Sequence, residues 1–262
     1  MAGKDIRYKT YDNSEIRAYL AVPEGEAPDS GIIVIQEIFG LTDFIRSVSE
    51  RLAKQGYVAL APHLYSREEL FTQKNILSAM TPMFSIPPEK RRDPNVLTEI
   101  MSRANETQKK ILTDLMINRQ KVEETMIKDL EHTYDYVKAT YKLRRMGVIG
   151  FCMGGGLTFQ ISTRKPFDAS AVYYGANPKP IEAVANIKGA VLGIYAGEDS
   201  NINQGLPDLM KAIAEYKTDF EMKLYPGTRH AFFNDTGPAY DERASKDAWE
   251  RTLRLFKEHL GV

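Results

Sequence analysis

The run GIIVIQEIFG, residues 31 to 40, is apolar at successive positions and rich in β-branched residues, so neither of its faces suits water. A strand of that kind must be covered on both sides, as in a parallel sheet sandwiched by helices. The next segment, LTDFIRSVSERLAKQG, changes period: Phe44, Ile45, Val48, Leu52 and Ala53 recur at helical spacing, and Gly56 ends it before a second apolar run, YVALAP. The same grammar returns as MGVIGF, CMGGGLTFQISTRK, DASAVYYG, AVLGIYAGED, LPDLMKAIAEYK and FEMKLYPG, and closes with an amphipathic helix from about Glu242 to Leu260. This alternation predicts an α/β fold with a mostly parallel central sheet and helices on both faces, entered through a hairpin in IRYKTYDNSEIRAYLAV. The length of 262 residues suits one such domain, residues 1–262.

One stretch breaks the pattern. Residues 63 to 118 separate a strand from the helix that leads to the next strand, and they hold SIPPEKRRDPN, a turn-rich hinge, then LTEIMSRANETQKKILTDLM, a helical stretch with charged and apolar faces. Met80, Met83, Met101, Met116, Phe71 and Phe84 fall in this insertion. Two readings stay open, a lid over a site or ordinary packing against the body.

Charge excludes some partners. Lys plus Arg and Asp plus Glu both number 35, so no net field draws the chain to nucleic acid or an anionic membrane. The opening MAGKDIRYKTYDNSEIRAYL has no unbroken apolar core and no small-residue cleavage site, and no segment approaches about 18 consecutive apolar residues, so a cytoplasmic protein is expected. The lone cysteine, Cys152, agrees with a reducing compartment.

That cysteine sits in GFCMGGG, residues 150 to 156. Gly150-Phe151-Cys152-Met153-Gly154 fits the pattern glycine, any residue, nucleophile, any residue, glycine between a strand and a helix. Such a turn exposes a reactive atom above the sheet, and the helix N-terminus behind it favours a thiolate and an oxyanion. A small buried thiol is the plainer reading of the same residues. What separates the two is chain order. AVLGIYAGEDSNIN runs out into Asp199, and FEMKLYPGTRHAFFND runs out into His230, giving nucleophile, acid and histidine at successive strand ends. His230 would take and return the proton while Asp199 fixes its tautomer. His132 and His259 fall on surface helices, and His63 in APHLYSR is the rival histidine.

With QEIFG, APHLYSR, GFCMGGG, YYG, AGEDSNIN and YPGTRHAF together, the chain from about Ile32 to the last helix resembles the dienelactone hydrolase family of the α/β-hydrolase superfamily. The resemblance implies that Glu37 contacts the resting thiol and helps to deprotonate it, and that the N–H groups of Ile38 and Met153 form the oxyanion hole. It implies that Arg67 binds a substrate carboxylate. Tyr65 and Tyr174 are candidates to line the pocket, and Phe232 with Phe233 and the insertion methionines point to hydrophobic acyl groups. One departure stands out: the family's lactone-cleaving members follow the histidine with a serine and then an arginine, whereas this chain reads His230-Ala231-Phe232-Phe233-Asn234.

The resulting expectation is a cysteine-dependent hydrolase that opens small-molecule esters or lactones through an acyl-cysteine, with no metal, no organic cofactor, no nucleic acid and no membrane partner. A carboxylesterase or thioesterase for hydrophobic acyl groups is the alternative. A non-catalytic binding protein on the same fold is the reading from another class.

Overall fold

The computed structural model describes residues 3–25, 28–87, 90–91 and 93–261. The expected hairpin is present: β1 (Lys4–Lys9) pairs antiparallel with β2 (Glu15–Ala21). β2 pairs antiparallel with β4 (Val58–Pro62). From there the sheet runs parallel through β3 (Ser30–Ile35), β5 (Arg145–Phe151), β6 (Ala169–Tyr173), β7 (Ala190–Ala196) and β8 (Phe220–Tyr225), in the order β1-β2-β4-β3-β5-β6-β7-β8.

Every residue of β3 is buried because its two faces meet two different cores. Ile32 and Val34 pack with Phe44, Ile45, Val48 and Leu52 of α1 (Asp43–Ala53) and with Ala248 and Phe256 of α9 (Glu242–Leu260). Ile33 and Ile35 pack on the opposite face with Ile127 and Leu130 of α5 (Arg119–Thr140) and Leu157 and Ile161 of α6 (Met153–Ser162). Each such valine, leucine, isoleucine or phenylalanine contributes roughly 1.5–3 kcal/mol when fully buried. A third core lies under α8 (Leu206–Tyr216), where Leu209 and Ile213 meet Phe159, Val172 and Tyr195.

The insertion contributes α2 (Gln73–Phe84), α3 (Pro94–Arg103), α4 (Glu106–Leu112) and a wider π-helical turn at Thr113–Ile117. The sequence pattern reads as one helical stretch over residues 97 to 116, but the structure breaks it after Arg103. Asn105 is the reason: its side chain accepts from the Gln108 N–H at 2.9 Å while Gln108 Oε1 accepts from the Asn105 N–H at 2.9 Å, a reciprocal cap that starts a new helix. Of the expected SIPPEKRRDPN turn, residues 88, 89 and 92 lie outside the described residues. Phe71, Met80 and Met83 are buried against the body, while Phe84 and Met116 are exposed. Among the described residues no helix is long and apolar enough to cross a membrane.

Candidate active site

Strand register decides what stands beside the cysteine. Ile35 of β3 is level with Gly150 of β5, so Glu37 and Cys152 each lie two residues beyond a paired position at the carboxyl edge of the sheet. Phe151 pairs with Tyr173, Tyr173 with Ile194, and Ala196 with Tyr225. The loops carrying Tyr174, Asp199 and His230 therefore leave the same edge, where ligands of open α/β sheets collect.

Cys152 occupies the tip of a strained turn between β5 and α6, with φ 57° and ψ −116°. A non-glycine residue holds such a conformation only when its surroundings over-determine it. The flanking glycines show what those surroundings are. A Cβ on Gly150 would sit 2.1 Å from the Gly154 carbonyl oxygen, and one on Gly154 would sit 2.4 Å from the Gln36 carbonyl oxygen and 2.5 Å from that of Ile35. The elbow is pressed against itself and against the end of β3, and no side chain fits in either gap.

His230 is fixed from several sides. Its Nδ1 makes a short hydrogen bond to Asp199 Oδ2. Asp199 is buried and also caps α7 (Ser200–Asn203), accepting from the Ile202 N–H at 3.4 Å, which holds the carboxylate in place. The imidazole rests on Tyr174 with ring centroids 4.9 Å apart, and its side chain is 36% exposed, leaving part of it open. Burial alone would lower the His230 pKa. The charge of and hydrogen bond to Cys152, with the bond to Asp199, outweigh burial and hold it well above the ordinary value.

Glu37 is 3% exposed, and burial pushes its carboxyl up to about 7, against the opposing pull of a 2.8 Å hydrogen bond from Asn234 Nδ2 to its Oε2 and of His230. The Tyr65 hydroxyl donates to the Ile38 carbonyl oxygen at 2.9 Å and lies 3.6 Å from Met153 Sδ, so one buried phenol ties the Ile38 and Met153 segments together. Among the described residues neither the Ile38 N–H nor the Met153 N–H donates to a protein acceptor. Two free backbone donors, one in the loop after β3 and one at the start of α6, are groups of the kind that hold an oxyanion.

Two expectations are corrected. Arg67 is not free to grip a substrate: Nε and Nη2 bind both oxygens of Asp129 at 3.0 and 2.6 Å, Nη1 and Nη2 bind Asp12 at 2.6 and 3.1 Å, and Nη1 also reaches Ser14 Oγ at 2.9 Å. All of its N–H donors are used. Phe232 and Tyr174 are completely buried, Phe232 between Tyr174 and Tyr225, so they brace the histidine loop instead of lining an open pocket. His63, the rival histidine, shares a cavity with Arg17 and Arg46 and meets Tyr65 edge to face, with centroids 6.2 Å apart; burial together with the arginine charges lowers its pKa to about 4.

The sequence reading missed the role of Asn234 and the partners of Arg67. Asn234 is visible only as a departure from a pattern. Asp129 did leave a signal, since it is an acidic residue on the same α5 face as Met126, Ile127, Leu130 and Thr133, and such a residue needs a cation.

A mostly parallel sheet, a strained elbow between its central strand and a helix, and an acid and histidine at following strand ends define an α/β hydrolase. The model of the dienelactone hydrolase family matches residues 16–260. A Saccharolobus solfataricus protein provisionally named carboxymethylenebutenolidase is 52% identical over 97% of this chain and 98% of its own length. A Synechocystis protein of the same provisional name is 30% identical over 95% of this chain and 94% of its own. Among solved structures, one provisionally named a dienelactone hydrolase, from Klebsiella pneumoniae, superposes with a TM-score of 0.73 at 25% identity, covering 98% of this chain and 100% of that one. The chain belongs to the dienelactone hydrolase family and is a hydrolase.

Proposed function

We propose that the protein hydrolyses neutral carboxylic esters or lactones through an acyl-cysteine at Cys152. The observation that carries this reading is the strained elbow thiol facing a histidine that Asp199 orients. His230 accepts the thiol proton, the resulting thiolate attacks the carbonyl carbon, and the negative oxygen is held by the N–H groups of Ile38 and Met153. The tetrahedral adduct collapses as His230 returns the proton to the departing alkoxide. His230 then takes a proton from water, which attacks the thioester and releases the acid and the thiol. Glu37 supplies a second proton acceptor beside this chemistry.

The neutral substrate class follows from charge. The provisional name of the relatives denotes a lactone that bears a carboxylate. In this chain Arg67 is saturated by Asp12 and Asp129, and position 234 is an asparagine. The insertion roofs the pocket in this reading, because Phe84 at the end of α2 meets Phe39 edge to face, with centroids 5.8 Å apart, in the loop that carries Ile38.

Rapid quenching of the enzyme with an aryl ester, followed by peptide mass spectrometry, tests the covalent step. The expected result is one acyl group on the Cys152 peptide that forms and decays with turnover. Unmodified Cys152 throughout steady-state hydrolysis would rule the pathway out.

A further inference from the structure

Asn234 stands where the catalytic scheme has no part for it, yet it makes a direct polar contact with Glu37. Its amide cannot rotate freely. Oδ1 accepts from the Thr236 N–H at 3.0 Å and from Thr236 Oγ1 at 2.7 Å, which leaves Nδ2 to point at Glu37 Oε2, 2.8 Å away. The backbone is pinned as well, the Asn234 N–H donating to the Ala231 carbonyl at 3.1 Å and the Gly237 N–H to the Asn234 carbonyl at 3.0 Å. Beneath this turn, Phe233 stacks on Phe151 with centroids 5.6 Å apart, which seats the segment on the strand that carries the elbow.

An amide N–H only donates, so the Glu37 oxygen it faces must always accept. We propose that Asn234 is the positioning residue for Glu37: its neutral amide occupies Oε2, so the exchangeable proton of the carboxyl is carried on Oε1 and stays free to be gained or lost during the reaction. A cation at this position would lock the carboxyl as an anion. A neutral donor leaves the two forms close in energy. The groups facing Glu37 agree with that state: His230 comes from the same loop and Tyr174 from the end of β6, while Cys152, on the elbow, shares Tyr174 as a neighbour. None of them is a permanent cation such as arginine; His230, which can lose its proton, is the one positive charge facing the carboxyl, and its downward pull is outweighed by the upward push of burial.

This inference rests on the acyl-cysteine reading only for its consequence in catalysis, and the experiment separates the two. Glu37 is titrated directly by carbon-13 NMR of the labelled carboxyl in the wild type, Asn234→Ala, Asn234→Asp and Thr236→Val. Losing the donor raises the midpoint by about one pH unit in Asn234→Ala. The isosteric Asn234→Asp keeps the shape and raises it further, because two carboxyl groups then face one another. Thr236→Val, which removes one of the two bonds to Oδ1 and keeps the one from the backbone N–H, gives a smaller rise. The acid limb of the pH profile of kcat/KM for a neutral aryl ester moves in the same order, and in a Glu37→Gln background the same substitutions leave that limb in place. A Glu37 midpoint that is the same in Asn234→Ala and Asn234→Asp as in the wild type overturns the proposal, whatever is found for Cys152. So does an acid limb that moves equally in the Glu37→Gln background, since Asn234 would then act on the fold alone.

Discussion

Two clusters of ionisable side chains in this molecule have been treated in opposite ways. Around Arg67, each donor meets an acceptor and one cation lies between two carboxylates, Asp12 near the surface and Asp129, which is 1% exposed. Thr10 Oγ1 donates to Asp129 as well, at 2.8 Å, and Tyr8 and Thr133 continue the network from β1 to α5 at 2.6 Å. The pairing holds the guanidinium above and the Asp12 carboxyl below their ordinary ranges, so neither changes charge. Around Cys152, the backbone is strained, two N–H groups lack protein acceptors among the described residues, and Glu37 is buried with a neutral amide donating to it. The satisfied cluster fastens the hairpin to α5. The unsatisfied one keeps groups whose charge and bonding can still change, which is what chemistry requires.

Substitutions can break this contrast. Cys152→Ala is expected to lower kcat/KM for an aryl ester by at least about 10³-fold, with an unchanged circular dichroism spectrum. Retained turnover would place the chemistry elsewhere. Arg67→Ala should do the reverse: it leaves Asp129 buried without its cation and costs about 3–5 kcal/mol in denaturant unfolding, while the relative rates on neutral esters and carboxylate-bearing lactones stay as in the wild type. A selective loss on the carboxylate-bearing substrates would restore Arg67 to substrate binding.

Glu37→Gln sharpens the contrast through pH. The native carboxyl titrates near 7 and the unfolded one near 4.5, so between those values the native state holds a proton that the unfolded chain has lost. Stability contributed by this group therefore falls as pH rises through that window and is fully lost above it. Glu37→Gln removes the dependence, and unfolding curves should show it more stable than the wild type by up to about 3 kcal/mol at pH 8 and little different below pH 4.5. Equal pH dependence in both proteins would show that Glu37 is not the group responsible. The smallest effect is expected from Phe84→Ala, which removes one exposed edge-to-face contact: a stability change within about 1 kcal/mol and a rise in KM for bulky esters, measured against a small acetyl ester. A KM that rises equally for both substrates would argue against a roof over the acyl group.

The alternation of apolar and amphipathic runs was enough to read the sheet, because burial on both faces leaves a strand like GIIVI no other place. Cys152, Asp199 and His230 could be read as a set because each follows a strand and the strands are parallel, so chain order became position along one edge. Arg67 could not be read correctly, because its partners Asp12 and Asp129 come from a hairpin turn and a distant helix, and only packing brings them together. Phe232 and Phe233 looked like pocket residues for a related reason: an aromatic pair after a histidine says nothing about which way the loop turns. Asn234 needed the Thr236 turn, which fixes an amide that sequence leaves free to flip.

The register of β3 against β5 also sets when the turn at Cys152 becomes strained. Ile35 and Gly150 are neighbours in the sheet and far apart in the chain, with the insertion between them. Contacts of such long range are slow to form, because the intervening segment must be closed before they repay it. The wall that keeps Cys152 in its strained turn is built from the carbonyls of Ile35 and Gln36, so it does not exist until that pairing is complete. The strained turn at Cys152 is therefore a property of the finished sheet, and an emerging or partly unfolded chain lacks it. In the acyl-cysteine reading proposed above, alkylation of Cys152 gauges native assembly at the middle of the sheet, sensitive to the loss of one strand pairing that leaves most helices intact.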